Sequence, residues 1–302
     1  MVQPLTHREI RCLLPRRPQD GHKGTFGHLV VAAGSQGFAG AVKLACQGAY
    51  RSGVGLVTAC VPSSLLSCLA ASLTETMLLG LSETSEGCPG REAASEVLAF
   101  SQDKSAILLG PGLSRHPETV HCVWSLCRES NQPLIVDADG LNALSENREE
   151  METLFQYRES HQGCADIFTP HPGEMSRLCG LPVAHIQKNR VSTALEYARQ
   201  WHVILVLKGK ETLVAAPDGR IISCPLGNEG LATGGSGDVL AGIMGALVAQ
   251  DIKSFDAAAI AVYVHGLAGD LAAREKGIRA MIASDIIEFL PAAWKSVEGD
   301  GL

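Results

Sequence analysis

The chain has 302 residues, 46% hydrophobic and 19% charged, enough apolar side chain to fill one large core or two modest ones, which excludes a disordered or fibrous protein. Its 32 acidic and 25 basic residues leave a formal net charge of −7, the wrong sign for a surface built to hold a nucleic-acid backbone or an anionic bilayer, so an anionic ligand needs a local site. Glycine is abundant, at 32 residues, and aromatics are scarce, at 5%; tight turns and close backbone approaches matter here more than aromatic platforms.

Cysteines stand at 12, 46, 60, 68, 88, 122, 127, 164, 179 and 224 with no CxxC and no paired Cys/His ligand spacing, so reduced thiols in a cytoplasmic setting are expected rather than a disulfide framework. Cys46, Cys60 and Cys68 lie in apolar stretches where a thiol acts as a small hydrophobe. The N-terminal MVQPLTHREIRCLLPRRPQ has no apolar run followed by a small-residue cleavage site, and no uncharged apolar stretch of ~20 residues occurs. A soluble, cytoplasmic chain is expected.

In chain order, Thr6-x-x-Glu9 spells a capping box and predicts a short helix ending near the Pro15 to Pro18 cluster. HLVVAAG (28–34) is a short continuous apolar run, the mark of a strand buried on both faces, and AGAVKLACQGAYRSG (39–53) has helical composition closed by Gly53. GLVTACVP, SAILLGPG, PLIVDADG, ADIFTPHP and HVILVLKG predict further buried strands, most of them separated by helical stretches. The polar segment 82–104 reads as a surface excursion. TLVAAPDGRIISC (212–224) breaks the alternation, since Asp218-Gly219 between two β-rich runs predicts an antiparallel hairpin at a sheet edge. From Val239 onward the chain reads as helical, with a last helix capped by Ser284. This order predicts a three-layer α/β/α fold on a mostly parallel sheet with right-handed crossovers. No linker-like composition shift divides the chain, so residues 1–302 are expected to form one domain.

In open sheets of this kind ligands bind beyond the carboxyl ends of the strands. Residues just after each apolar run are therefore read together: Ser35 to Ala41, Pro111 to Leu113, Asp137, Asp139 and Asn142, Thr169, His171 and Glu174, and Lys208 to Thr212. The sharpest signal is GLATGGSGD (230–238), directly before an apolar helix. A glycine run entering a helix bares backbone N–H groups at a partly positive end, so a phosphate is expected on Gly235, Ser236 and Gly237. Asp238, in the first turn, is expected to be stabilised as an anion by the same dipole, either as a bare cap or as the general base for a hydroxyl attacking a terminal phosphoryl group. GxxxxGK[ST] and HExxH are absent, and Gly34-x-x-Gly37-x-x-Gly40 misses the dinucleotide spacing and lacks a ribose-binding acid after LVTAC. His171 lies on a rigid Thr-Pro-His-Pro-Gly-Glu turn and reads as a ligand contact or a satisfied structural residue. Glu174 reads as an indirect divalent-ion holder or the cap of the next helix. Asp137 and Asp139 alternate, so at most one faces the cleft if the strand persists. Lys208 reads as a phosphate partner or an ordinary strand-end lysine.

Assembled, the segments GSQGFAGA, LLGPGL, PLIVDADGLNAL, TPHPGEM, VLKGKET and GNEGLATGGSGDVLAG resemble the ADP/ATP-dependent (S)-NAD(P)H-hydrate dehydratases of the ribokinase-like superfamily, from Gly27 to the Ser284-Asp285-Ile286 helix. The resemblance implies repair of NADH or NADPH hydrated at the nicotinamide ring, with ADP or ATP as co-substrate and Mg²⁺ bridging the phosphates; a free-standing chain resembles the bacterial ADP-using branch. It implies hydrate contacts at Ala41, Gly112, His171 and Asp238, with Asp238 catalytic. Nucleotide contacts are implied at Lys208, Gly209, Lys210, Glu211, Thr212 and Gly237. It also implies a homo-oligomer, a tetramer in the family. Glu229, Leu231 and Ser236 depart from the family's commoner Pro, Met and Thr; an acid at 229, near the phosphate site, is placed to tune nucleotide choice. With the first strand expected near residue 28, the epimerase domain that many relatives carry is expected as a separate partner protein. The alternative is a superfamily kinase of a small hydroxymethyl compound or sugar, which usually shows Asn-x-x-Glu where this chain has His171-Pro-Gly-Glu174. A catalytically silent nucleotide-binding regulator would need no carboxylate at 238.

Overall fold

The computed structural model describes residues 2–162 and 165–299; Cys164 lies outside them. The elements are β1 (Gln3–Pro4), α1 (His7–Leu13), β2 (His28–Ala32), α2 (Ala39–Tyr50), β3 (Leu56–Pro62), α3 (Leu66–Ala70), β4 (Met77–Leu81), α4 (Ala93–Ser101), β5 (Ala106–Leu109), α5 (Pro117–Glu129), β6 (Leu134–Val136) and α6 (Asp139–Leu144). They continue with α7 (Arg148–Gln162), β7 (Ile167–Phe168), α8 (Pro172–Cys179), α9 (Val183–Lys188), α10 (Arg190–Trp201), β8 (Ile204–Leu207), β9 (Leu213–Ala215), β10 (Ile221–Ser223), α11 (Ser236–Ala249), α12 (Ser254–Lys276) and α13 (Ala283–Glu298). One sheet carries the strands in the order β1-β10-β9-β8-β7-β6-β5-β2-β3-β4. Every neighbouring pair is parallel except β8 with β9 and β9 with β10.

The strands that read as continuous apolar runs divide their side chains between two cores. Leu29, Val31, Leu108 and Ile135 face one, built with α2, α11, α12 and α13. Val30, Ala32, Ile107, Leu109, Leu134 and Val136 face the other, built with α4, α5, α6, α8 and α10. Period-two alternation explains the division, because both faces of a parallel sheet are covered. Glycines bring α2 and α11 into close contact. A Cβ on Gly242 would collide with the Ala45 carbonyl, and one on Gly48 would stand 2.7 Å from the Val239 carbonyl.

The Thr6–Glu9 capping box opens α1, and Asp218-Gly219 turns the β9–β10 hairpin, with Gly219 at φ +92°. Only the two-residue β1, which sequence alone did not show, lies outside that hairpin. β4 is a second strand missed by reading apolar runs. Three expectations are corrected. Ser284 is exposed inside the first turn of α13, and Asp285 accepts the Ile282 N–H at 2.8 Å in its place. The segment 82–104 is not all surface, since α4 buries Ala93, Ala94, Val97 and Ser101. Cys68 is exposed on α3, whereas Cys46 and Cys60 are buried as expected, and the nine described cysteines are free. By length and composition α12 is the one described helix able to cross a membrane, but 78% of its apolar window is buried inside the fold.

Candidate active site

At the carboxyl ends of β6, β7 and β8 the chain leaves the sheet through Asp137, Thr169 and Lys208, one position beyond each strand or its successor, and these three side chains meet. Asp137, 1% exposed, accepts hydrogen bonds from Lys208 Nζ and Thr169 Oγ1, each at 2.7 Å on Oδ1. The strand does not persist to 139. Ala138 turns the chain at φ +49°, and Asp139 opens α6, where it accepts the Ser114 N–H at 3.0 Å. Asp137 is therefore the cleft-facing residue of the pair. Lys208 is no ordinary strand-end lysine. Burial pulls its pKa down, but Asp137 and Glu174 outweigh that and hold it above its usual value.

His171 caps α8. Its Nδ1 accepts the Gly173 and Glu174 N–H groups at 2.9 and 3.3 Å, while Glu174 Oε2 accepts the His171 N–H at 2.8 Å. A ring whose Nδ1 accepts carries its proton on Nε2, which points toward Glu174 Oε1 at 3.4 Å. Burial, Lys208 and Arg177 depress its pKa, so the imidazole is neutral at physiological pH. Glu174 is buried and 3.8 Å from Lys208 Nζ. Burial raises its pKa against the pull of Lys208.

The glycine segment completes the site. Gly235 precedes α11 at φ +90°, a conformation suited to glycine, and a Cβ there would strike Leu44. Gly237 lies in the first turn, where a Cβ would stand 3.4 Å from Lys208 Nζ and 3.8 Å from Asp137 Oδ2. The absent side chain thus leaves the N-terminal amides of α11 open beside a lysine ammonium, an arrangement that suits a phosphoryl oxygen. Asp238 follows at the third helical position. Its carboxyl is pushed up to about 7, by burial first and then by Asp137, with Lys208 opposing and Asp139 and Glu174 adding to the rise. This corrects the expected dipole-stabilised anion: crowded carboxylates and poor solvation outweigh the helix terminus.

These groups line a cavity of about 700 Å³ that takes in His171, Lys208 to Thr212 and Gly235 to Asp238, with Asp137, the 224–229 loop, Leu231, Leu240, Val262 and His265. Of the residues singled out in sequence, His171, Lys208, Gly209, Lys210, Glu211, Thr212, Gly235, Ser236, Gly237 and Asp238 are brought together there, and Glu229 stands exposed on its wall. Ala41 and Gly112 do not line it. They face one another beyond β2 and β5, where a Cβ on Gly112 would stand 3.2 Å from that of Ala41 and 2.8 Å from that of Phe38. Sequence reading did not single out His265, a lone polar residue in an apolar stretch of helix. Among the described residues no three His, Cys, Asp or Glu side chains form a metal-ligating cluster. The carboxylates gathered around Lys208 thus form no such cage, and suit a cation carried on phosphates better than one held by protein alone.

A family model described as NAD(P)H-hydrate dehydratase matches residues 29–292. The chain is 44% identical to the bifunctional NAD(P)H-hydrate repair enzyme of Moorella thermoacetica over 97% of its own length and 54% of that protein, so it spans about half the length of the curated relatives that it first matches. It is 38% identical to the ADP-dependent (S)-NAD(P)H-hydrate dehydratase of Neisseria meningitidis, covering 92% of this chain and 87% of that one. The Bacillus subtilis ADP/ATP-dependent NAD(P)H-hydrate dehydratase, co-crystallised with ATP and Mg²⁺, superposes with a TM-score of 0.83 at 30% identity, covering 98% and 99% of the two chains. The expected ribokinase-like architecture is borne out. A glycine-opened helix beside a half-buried lysine, and likeness running across the whole sheet, place the protein: the chain belongs to the NAD(P)H-hydrate dehydratase family.

Proposed function

We propose that the protein returns the S-epimer of hydrated NADH or NADPH to the reduced coenzyme by nucleotide-dependent loss of water, with ADP going to AMP and phosphate, or ATP to ADP and phosphate. The observation that carries this reading is Asp238: a carboxyl near 7 in the same cavity as Lys208 and the open amides around Gly237. The carboxylate takes the proton of the ring hydroxyl, the oxygen attacks the terminal phosphorus, and the bond to the nucleotide breaks. The ring nitrogen then expels phosphate, and loss of a proton from the adjacent ring carbon restores the double bond. Phosphate leaves far more readily than hydroxide.

Lys208 and the amides of Ser236 and Gly237 orient the terminal phosphate, while Gly209, Lys210, Glu211 and Thr212 border the rest of the nucleotide. Neutral His171, with Ala41 and Gly112 farther along the sheet edge, is assigned to the hydrate. Mg²⁺, when bound, would neutralise phosphate charge; Asp137 and Asp238 are the lining carboxylates that would face its water shell, with Glu174 assigned an indirect part behind Lys208. A homo-oligomer, an epimerase acting on the same hydrates and a reducing cytoplasmic setting belong to the same reading, the last in keeping with nine free thiols among the described residues. The kinase alternative is not favoured by the named relatives. The test is the near-ultraviolet absorbance of reduced nicotinamide, followed with purified protein, Mg²⁺ and hydrated NADH, with ADP and ATP added separately. A nucleotide-dependent rise supports the reading and identifies the donor. A folded, nucleotide-binding protein that is silent with both overturns it.

A further inference from the structure

From 260 to 272, α12 is aliphatic, aromatic or glycine except for His265 and Asp270. His265, Gly266, Gly269 and Asp270 fall at i, i+1, i+4 and i+5, one face of the helix. His265, 7% exposed, places Nε2 3.0 Å from the Ser236 carbonyl and 3.3 Å from Ser236 Oγ. A carbonyl can only accept, so Nε2 carries the proton. Burial pushes this imidazole down to about 4, helped by Lys208 and opposed by the bond to Ser236, so the ring is a neutral strut that adds no charge beside the lysine.

One turn on, the same face grips the loop that forms another part of the cavity wall. Asp270 accepts the Gly227 N–H on Oδ2 at 3.1 Å and the Asn228 Nδ2 on Oδ1 at 3.0 Å. Asn228 in turn accepts the Gly230 N–H at 2.9 Å. The two glycines let the wall approach, since a Cβ on Gly266 would stand 2.9 Å from the Leu226 carbonyl and one on Gly269 would stand 2.6 Å from Leu231. Two independent sets of bonds on one helix face therefore hold the amide end of α11 and the 226–231 loop, both of which line the same cavity.

We propose that this face of α12 is a positioning element for the nucleoside di- or triphosphate: it fixes the gap between the loop and the first turn of α11, and so the nucleotide's fit, without touching the reacting atoms. The proposal rests on the dehydratase reading for its substrate. The experiment is calorimetric binding of Mg-ADP beside steady-state kinetics for His265→Leu, His265→Gln, Asp270→Ala and Asp270→Asn. His265→Leu and Asp270→Ala are expected to raise Kd and KM for the nucleotide about tenfold or more while KM for the hydrate stays within about twofold. His265→Gln, which keeps an N–H near the Nε2 position, and Asp270→Asn, which keeps one acceptor, are expected to recover most of the affinity. Unchanged nucleotide affinity in the Leu and Ala variants overturns the proposal. So does a parallel rise of both KM values, or a Gln variant no better than Leu. Wild-type protein that binds Mg-ADP but never dehydrates the hydrate sinks the dehydratase reading and leaves the affinity comparison standing; wild-type protein that binds no nucleotide sinks both.

Discussion

Asp238 and His171 are the two residues of the cavity at which the proposed reading and protonation meet. On the proposed reading Asp238 acts in its deprotonated form, so kcat/KM is expected to rise with pH through about 7 and to level off above it. Asp238→Asn is expected to keep nucleotide binding while losing at least ~3 kcal/mol of transition-state stabilisation, about a hundredfold in rate; single-turnover kinetics showing retained activity would remove Asp238 as the base. Stability carries the opposite sign. The folded-state pKa lies above the ordinary 3.8, so ionising Asp238 costs stability as pH rises from about 4 to about 7. In thermal melts the Asn variant is expected to be the more stable protein above that window and to match the wild type below it. His171 caps α8 and is proposed to contact the hydrate, two duties that substitution can separate. His171→Ala is expected to raise KM for the hydrate and, by losing the α8 cap, to cost ~1 kcal/mol. His171→Asn keeps a cap acceptor and is expected to recover the stability without the KM. If KM stays at the wild-type value in both variants, His171 is a cap and nothing more.

At the scale of elements, two glycines of α11 serve different ends. Gly242 faces the Ala45 carbonyl of α2 with no room for a methyl group, and Gly237 faces Lys208 and Asp137 at ordinary contact distance. Gly242→Ala is expected to force the helices apart at a cost of about 2 kcal/mol or more, read as a lowered urea midpoint with an unchanged nucleotide KM. Gly237→Ala is expected to fold with an equal or higher melting temperature, since alanine suits a helix better than glycine. On the proposed reading its methyl group would occupy the phosphate position, so nucleotide affinity is expected to fall. Opposite outcomes in the same pair of assays would mean that packing and binding glycines had been exchanged.

Across the whole molecule, chemistry and anchoring sit at opposite ends of the sheet. At the end away from the cavity Arg158, on α7, is buried. It donates to Asp166 Oδ2 at 2.6 Å and to the carbonyls of Cys127, Ser130 and Gln132. Asp166 accepts the Leu134 N–H at 2.7 Å. One guanidinium therefore ties α5, the entries to β6 and β7, and α7 together. Arg158→Met leaves a buried carboxylate and several carbonyls unmatched, and is expected to cost ~3–5 kcal/mol in equilibrium unfolding. Both KM values should stay unchanged, because the strands that carry Asp137 and Thr169 keep their register once folded. A shift in KM without loss of stability would contradict this division.

The main strands, the hairpin and the glycine-opened helix were legible in sequence because each depends on local rules: apolar runs for strands covered on both faces, Asp-Gly for a tight turn, unsubstituted amides before an apolar helix. For the same reason Asp238, His171 and Lys208 were legible as candidates, each standing just past a strand or at a helix start. The short β1, the buried face of α4 and the use of Asp285 instead of Ser284 were not, because they depend on what a segment packs against. Nor could spacing alone show that Asp137 and not Asp139 faces the cleft, or that Asp238 is held near 7 and not as a stabilised anion. Those outcomes are set by groups far apart in the chain, such as Lys208 on Asp137, 71 residues away, and only the folded sheet brings their charges within a few ångströms of one another.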